Sequence, residues 1–263
     1  MPDHAVALLI LGVAAGVLSG MFGIGGGVVI VPMLSFLFGF ELQKAVGTSL
    51  AVLVMPVSFF AVLSYYRANL LQLTAAMLIA TGLIGGGVIG AQVALGLPGD
   101  TLKQLYGIFL IYIGWRFAEP RKVWAARKGI KNSVPPAEAA PPLEIAWYWM
   151  LVVGIGAGIA SGLFGIGGGL VIVPVLVGLL HYDQKRAVGT SLAALLPPVG
   201  AGAALSYYDA GKIELGVAAM IAAGLVIGAF AGAKIALGLP SSTIKRLYGV
   251  FLLLASLRFI FQL

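Results

Sequence analysis

Two short motifs in this chain carry donors suited to an anion, and each occurs twice. Gly25, Gly26 and Gly27 in FGIGGGVVIVP return as Gly167, Gly168 and Gly169, and Thr48 and Ser49 in AVGTSLA return as Thr190 and Ser191. A glycine run presents bare backbone that an anion can approach closely. A helix starting there leaves its first N–H groups unpaired, with about half a positive charge at its end. The adjacent hydroxyls add donors without a fixed charge that would grip too tightly. Each motif also has a purely structural use: glycine lets membrane helices pack backbone to backbone, and Ser or Thr caps a helix start. A dinucleotide fingerprint is excluded for GIGGG, because that motif needs a preceding strand and a βαβ unit.

The elements that position these motifs follow from composition. Of 263 residues, 60% are hydrophobic and only 10% charged, with net charge +7, against about 25% charged in an ordinary soluble domain. The runs 5–38, 45–66, 70–99 and 145–180 contain no charge at all, and each exceeds the roughly 20 residues that span a bilayer as a helix. The chain therefore reads as an all-α integral membrane protein. With no cysteine, and with His4 and His181 at loop positions, neither disulfide, haem nor zinc chemistry is expected and no cofactor is assigned. The positive charge gathers between Arg116 and Lys131, which marks a cytoplasmic loop and not a nucleic-acid surface. A cleavable signal peptide is not expected, because the N-terminus lacks a basic region before its first apolar run. The expected location is the inner (cytoplasmic) membrane.

The chain is an internal duplication. At a constant offset of 142 residues, AVGTSLA at 45–51 matches 187–193, Ser64-Tyr65-Tyr66 matches 206–208, and ALGLP at 94–98 matches 236–240. The organisation is repeat 1 over 1–118, a basic, Pro/Ala-rich cytoplasmic linker over 119–146, and repeat 2 over 147–263. Each repeat opens with a 34-residue uncharged run, 5–38 in the first. As one helix it would extend about 51 Å, well beyond the roughly 30 Å hydrocarbon core. A glycine costs about 1 kcal/mol and an interior proline about 3 relative to alanine in a helix, so the cluster divides the run into arms of about 15 and 12 residues. Either a broken helix crosses, or a hairpin enters to mid-depth and returns.

Charges in the matched loops bear on that choice. A hairpin leaves three further transmembrane helices per repeat and inverts the repeats; a crossing leaves them parallel. With the basic linker inside, inversion places eleven basic residues inside (Arg67, Arg116, Arg121, Lys122, Arg127, Lys128, Lys131, Lys185, Arg186, Lys245, Arg246) and four outside (Lys44, Lys103, Lys212, Arg258). The parallel arrangement gives nine against six, so inversion is favoured. Broken segments at the interface of inverted repeats are where secondary transporters bind substrate. No carboxylate or histidine is expected at mid-membrane, which removes the usual proton relays and cation sites and leaves an anion. Lys234, matched by Gln92, either snorkels to the interface or attracts anions from within. Pro56, Pro197 and Pro198 are expected to kink their helices.

The doubled SGxFGIGGGxVIVPxL (19–34 and 161–176) and doubled AVGTSLA resemble the TauE/SafE family of sulfite exporters. The resemblance covers nearly the whole chain outside the linker. It implies a multi-pass transporter that moves a sulfur-containing anion (sulfite, thiosulfate or a sulfonate), generally outward. A thiol-based path, as in a related thiosulfate-uptake family, is excluded by the lack of cysteine. The candidate substrate-binding residues are therefore Gly25, Gly26, Gly27, Thr48, Ser49 and their copies Gly167, Gly168, Gly169, Thr190 and Ser191. A channel-like anion pore and a non-transporting membrane scaffold are the alternatives. An enzyme is not expected, because no nucleophile, base and orienting group can be assembled from the intramembrane residues.

Overall fold

The computed structural model describes residues 5–118, 146–244 and 247, with the side chains of 110–118 left outside the description. The linker, except for Ala146, and Lys245, Arg246 and Arg258 lie outside the described residues. Every regular element among the described residues is a helix: α1 (Ala5–Phe22), α2 (Gly27–Leu37), α3 (Leu42–Val54), α4 (Phe59–Arg67), α5 (Leu73–Gly96), α6 (Gly99–Ala118), α7 (Trp147–Phe164), α8 (Gly169–Gly178), α9 (Gln184–Ala194), α10 (Ala201–Asp209) and α11 (Leu215–Gly238). The bounds of α7, α10 and α11 are those of α1, α4 and α5 displaced by 142, so the duplication in sequence is a duplication of structure.

The long uncharged run breaks at its glycines, into arms of unequal length. α1 has 18 residues and α2 has 11; the first arm is longer than expected, about 27 Å at 1.5 Å per residue. It stops where Gly23 takes φ 73°, followed by Gly25 at 78° and Gly26 at 87°, a left-handed backbone costing other L-residues roughly 1–2 kcal/mol each. α1, α5, α7 and α11 are long and apolar enough to cross a membrane, and α3 with α4 makes a fifth such span if the pair, bent by 52°, is taken as one. Pro56 lies in that break, and the second copy breaks at Pro197-Pro198. The prolines thus interrupt these helices where kinks were expected, because neither the missing N–H nor the ring is compatible with a continuous turn.

The main packing joins the repeats to each other. α1 lies against α11, and α7 lies against α5, through paired glycine rows at every fourth residue: Gly12, Gly16 and Gly20 against Gly224, Gly228 and Gly232, and Gly154, Gly158 and Gly162 against Gly82, Gly86 and Gly90. A Cβ at Gly16 would lie 2.5 Å from the Leu225 carbonyl oxygen and 2.9 Å from Gly228 Cα, and one at Gly158 would lie 2.6 Å from the Leu83 carbonyl oxygen. The backbones touch, which gains dispersion where lipid offers no hydrophobic drive. In both seams the residue numbers rise together (Gly12 opposite Ile221, Gly20 opposite Ala229), so each pair runs parallel. Among the GGG residues at 85–87, Gly86 lies in the seam, whereas a Cβ at Gly85 would meet nothing within 4 Å.

The chain after each broken run returns to where the run began. The α1/α11 register puts the first turn of α1 level with the first turn of α11. There, Glu41 pairs with Lys212 at 2.7 Å and Lys44 with Glu214 at 2.6 Å. In the second copy Tyr182 donates to Gln72 Oε1 at the start of α5. Burial pushes the Tyr182 hydroxyl upward in pKa, with Arg186 partly opposing, so the phenol remains a donor through neutral pH.

Candidate functional site

The site is built where the two glycine loops cross. Residues 23–27 and 165–169 run past each other in opposite directions. A Cβ at Gly27 would collide with the Gly165 carbonyl, a Cβ at Gly169 with the Gly23 carbonyl, and a Cβ at Gly25 would stand 3.6 Å from Gly167 Cα. Only glycine permits this crossing, because any side chain at 27 or 169 would strike the backbone of the other loop. All of residues 20–32 are buried, as are 164–170.

Hydrogen bonding within the loops is one-sided. Ser49 Oγ donates to the Gly165 carbonyl and Ser191 Oγ to the Gly23 carbonyl, both at 2.8 Å. Tyr65 donates to the Gly20 carbonyl and Tyr207 to the Gly162 carbonyl, both at 3.0 Å. The Ser19 carbonyl receives Gly23 N–H, and the Gly26 carbonyl receives the N–H groups of Val29 and Ile30. By contrast, among the described residues no hydrogen bond is made by the N–H groups of Ile24, Gly25, Gly26, Gly27 and Val28, or of Ile166, Gly167, Gly168, Gly169 and Leu170. The carbonyls of Gly23, Gly26, Gly165 and Gly168 are occupied, and left-handed Gly26 followed by helical Gly27 is the alternation of hand that makes a concave amide arrangement suited to an anion. A buried unpaired N–H costs about 1–3 kcal/mol. An acceptor placed among these groups would offset part of that cost.

Ser19 adds a donor that the sequence reading missed. Its Oγ is buried, at 1% residue exposure, and has no hydrogen-bond partner. Four residues along the same face of α1, the Ala15 carbonyl oxygen lies 3.6 Å from where a Cβ of Gly26 would be, and helical side chains lean toward the N-terminus, so Ser19 lies along the stripe that carries the loop. The signal was its repetition as Ser161 in SGxFG.

The remaining candidates divide. Thr48, Ser49, Thr190 and Ser191 are fully buried. Thr48 Oγ1 accepts the Glu214 N–H and Thr190 Oγ1 the Gln72 N–H, both at 3.1 Å, so the threonines cap the long helix of the opposite repeat while the serines hold its glycine loop. Lys234 and Gln92 are not brought to the loops. Both are exposed on the outer faces of α11 and α5, and Lys234 Nζ lies 4.4 Å from the Phe230 ring centroid. The buried polar side chains among the described residues are Ser, Thr and Gln, with no ionised group, so the donors here are neutral.

These features define a helical membrane protein in which two glycine-broken helix pairs meet at their loops. The profile of the family described as Sulfite exporter TauE/SafE matches residues 8–259, and the chain belongs to that family. It is 29% identical over 269 residues to the probable membrane transporter protein YunE of Bacillus subtilis, covering 98% of this chain and 97% of the relative. It is also 29% identical to the probable membrane transporter protein MJ0441 of Methanocaldococcus jannaschii, covering 94% of each, and 25% identical to the probable membrane transporter protein YdhB of Bacillus subtilis, covering 88% and 89%. No solved structure matches the chain. The protein is a membrane transporter of the TauE/SafE family.

Proposed function

We propose that this transporter carries a small sulfur-containing anion, sulfite or an organosulfonate, outward across the inner membrane, binding it on the amides of the crossed glycine loops. The observation that carries the reading is the set of open N–H groups at 24–28 and 166–170, beside the Gly23 and Gly165 carbonyls already held by Ser191 and Ser49. The anion would receive hydrogen bonds from Gly25, Gly26, Gly27, Gly167, Gly168 and Gly169, with Ser19 as a hydroxyl donor. Ser49, Ser191, Thr48 and Thr190 stand behind the loops and hold them in place. Neutral donors bind an oxyanion without the grip of a buried cation, so release is not prohibitive.

The two repeats are inverted in this account, with the linker cytoplasmic. Three observations support it. The segment after α2 pairs with the start of α11, level with the start of α1. Gln43 Nε2 of that segment donates to the carbonyls of Ala94 and Leu97 at the end of α5, so α1 and α5 point in opposite directions. Since α5 runs parallel to α7, α1 and α7 oppose each other. Purified protein in liposomes tests the function: saturable flux of sulfite or a sulfonate supports it. Linear, non-saturating flux would indicate a channel-like pore, and no flux across sulfite, thiosulfate and sulfonates would indicate a scaffold.

A further inference from the structure

We infer that Leu53 and Leu195 form a paired apolar gate over the glycine loops, and that their combined bulk sets the largest anion that passes. The inference rests on the anion-transport reading above and assigns its selectivity to two residues that carry no polar atom.

The two leucines are copies of each other at the 142-residue offset, and they converge on one point. Leu53 Cδ1 lies 2.8 Å from the Cβ position of Gly167, Leu53 Cδ2 lies 3.6 Å from that of Gly25, and Leu195 Cδ1 lies 3.2 Å from that of Gly25. Because Gly25 and Gly167 are the crossing point, the two isobutyl groups sit side by side on the pseudo-two-fold axis and cover the loops from the same direction. Each is 8% exposed, so a thin layer of side chain separates the amides from the space beyond. Met55 and Pro56, just past Leu53, and Pro198, just past Leu195, are exposed.

The other neighbours of the loops belong to stiffer parts. Gly26 meets Leu225 of α11, and Gly168 meets Leu83 of α5, both on helices held by the glycine seams. Leu53 and Leu195 instead sit at helix ends, where regular bonding stops just after them: Met55 N–H reaches back only to Val52, and Leu196 N–H only to Ala193. A leucine changes rotamer without disturbing a seam, so these are the walls that open most cheaply. Closed, two facing isobutyl groups exclude water and hence a hydrated ion, as hydrophobic constrictions do. Opened, the passage is bounded by how far those groups retract.

The test is flux in proteoliposomes of wild-type protein, L53A/L195A and L53F, each confirmed monodisperse, with sulfite and the bulkier taurine as substrates. The gate predicts that L53A/L195A raises the taurine-to-sulfite flux ratio at least fivefold, a gain that a misfolded protein cannot show, and that L53F lowers both fluxes at least tenfold. An unchanged ratio in L53A/L195A, while the wild type transports sulfite, overturns the gate and leaves the transport reading standing. Absence of flux in the wild type overturns both.

Discussion

Gly27→Ala sets two physical effects against each other. Gly27 has ordinary helical backbone at the start of α2, and on propensity alone alanine would stabilise a helix by up to about 1 kcal/mol. Packing acts the other way. The new Cβ would collide with the Gly165 carbonyl oxygen and lie 2.8 Å from Ile166 Cα and 2.9 Å from the Gly165 carbonyl carbon, where carbon atoms prefer about 3.5–4.0 Å. The carbonyl oxygen is the tightest contact, so the loops must part by about 1 Å or more, and the obstacle is backbone on a buried crossing, not a flexible side chain. Overpacking costs about 1–3 kcal/mol, and against fixed backbone the upper part of that range applies, about 2–3, so packing wins by about 1–2 kcal/mol. With a shift of roughly 2–4 °C per kcal/mol for a chain of this size, the melting temperature in detergent falls by about 2–8 °C. Flux falls further, because a misplacement approaching 1 Å at a binding centre costs up to about 100-fold. Gly85→Ala is the control: a Cβ there meets nothing within 4 Å, so it melts at or above the wild-type temperature and transports normally. If Gly27→Ala behaves like Gly85→Ala, the reasoning about crossed loops is wrong.

Four further outcomes are expected. Gly16→Val, whose first side-chain carbon alone would stand 2.5 Å from Leu225 O and 2.8 Å from Ala229 N, separates α1 from α11 and lowers detergent stability by at least about 2 kcal/mol, read by thermal unfolding. Ser191→Ala removes the donor to the Gly23 carbonyl and costs about 1 kcal/mol with a several-fold loss of flux, whereas Ser206→Ala, whose hydroxyl only bonds one turn back to Gly202, leaves flux unchanged. Single cysteines replacing Lys44 and Lys185 label from opposite sides of the membrane with an impermeant thiol reagent; same-side labelling would refute the inverted arrangement. Lys234→Gln keeps flux within about twofold, because that exposed ammonium rests on Phe230 and exposed charges contribute little.

Much of the architecture was legible because the constraints were global. Run length against bilayer thickness ruled out a single helix for 5–38, and the offset of 142 revealed the duplication. The structure adds the partner of each seam. Gly12, Gly16 and Gly20 advertise a packing face by their spacing, but nothing local in the sequence says that the facing row is Gly224, Gly228 and Gly232 in the other repeat. The hydroxyls show the same limit. AVGTSLA reads equally as a cap or as donors to a ligand, and only the fold shows Thr48 at Glu214 and Ser49 at Gly165. Tyr65 was visible as a repeated residue with no assigned task, since its bond to the Gly20 carbonyl depends on how α4 meets α1. The length of α1 was underestimated because positive φ begins at Gly23 after a full 18-residue helix, and a helix can run to its last residue before a glycine.

The central claim is that an anion rests on the amides of the crossed loops. It is tested most directly by titrating sulfite into amide-labelled protein in lipid and following the N–H resonances of Gly25, Gly26, Gly27, Gly167, Gly168 and Gly169 by solid-state NMR. The account predicts saturable downfield proton shifts at these glycines, absent at Gly85 and Gly107. Shifts confined to Lys234 and the surface loops, with the six glycine amides unmoved, would contradict it.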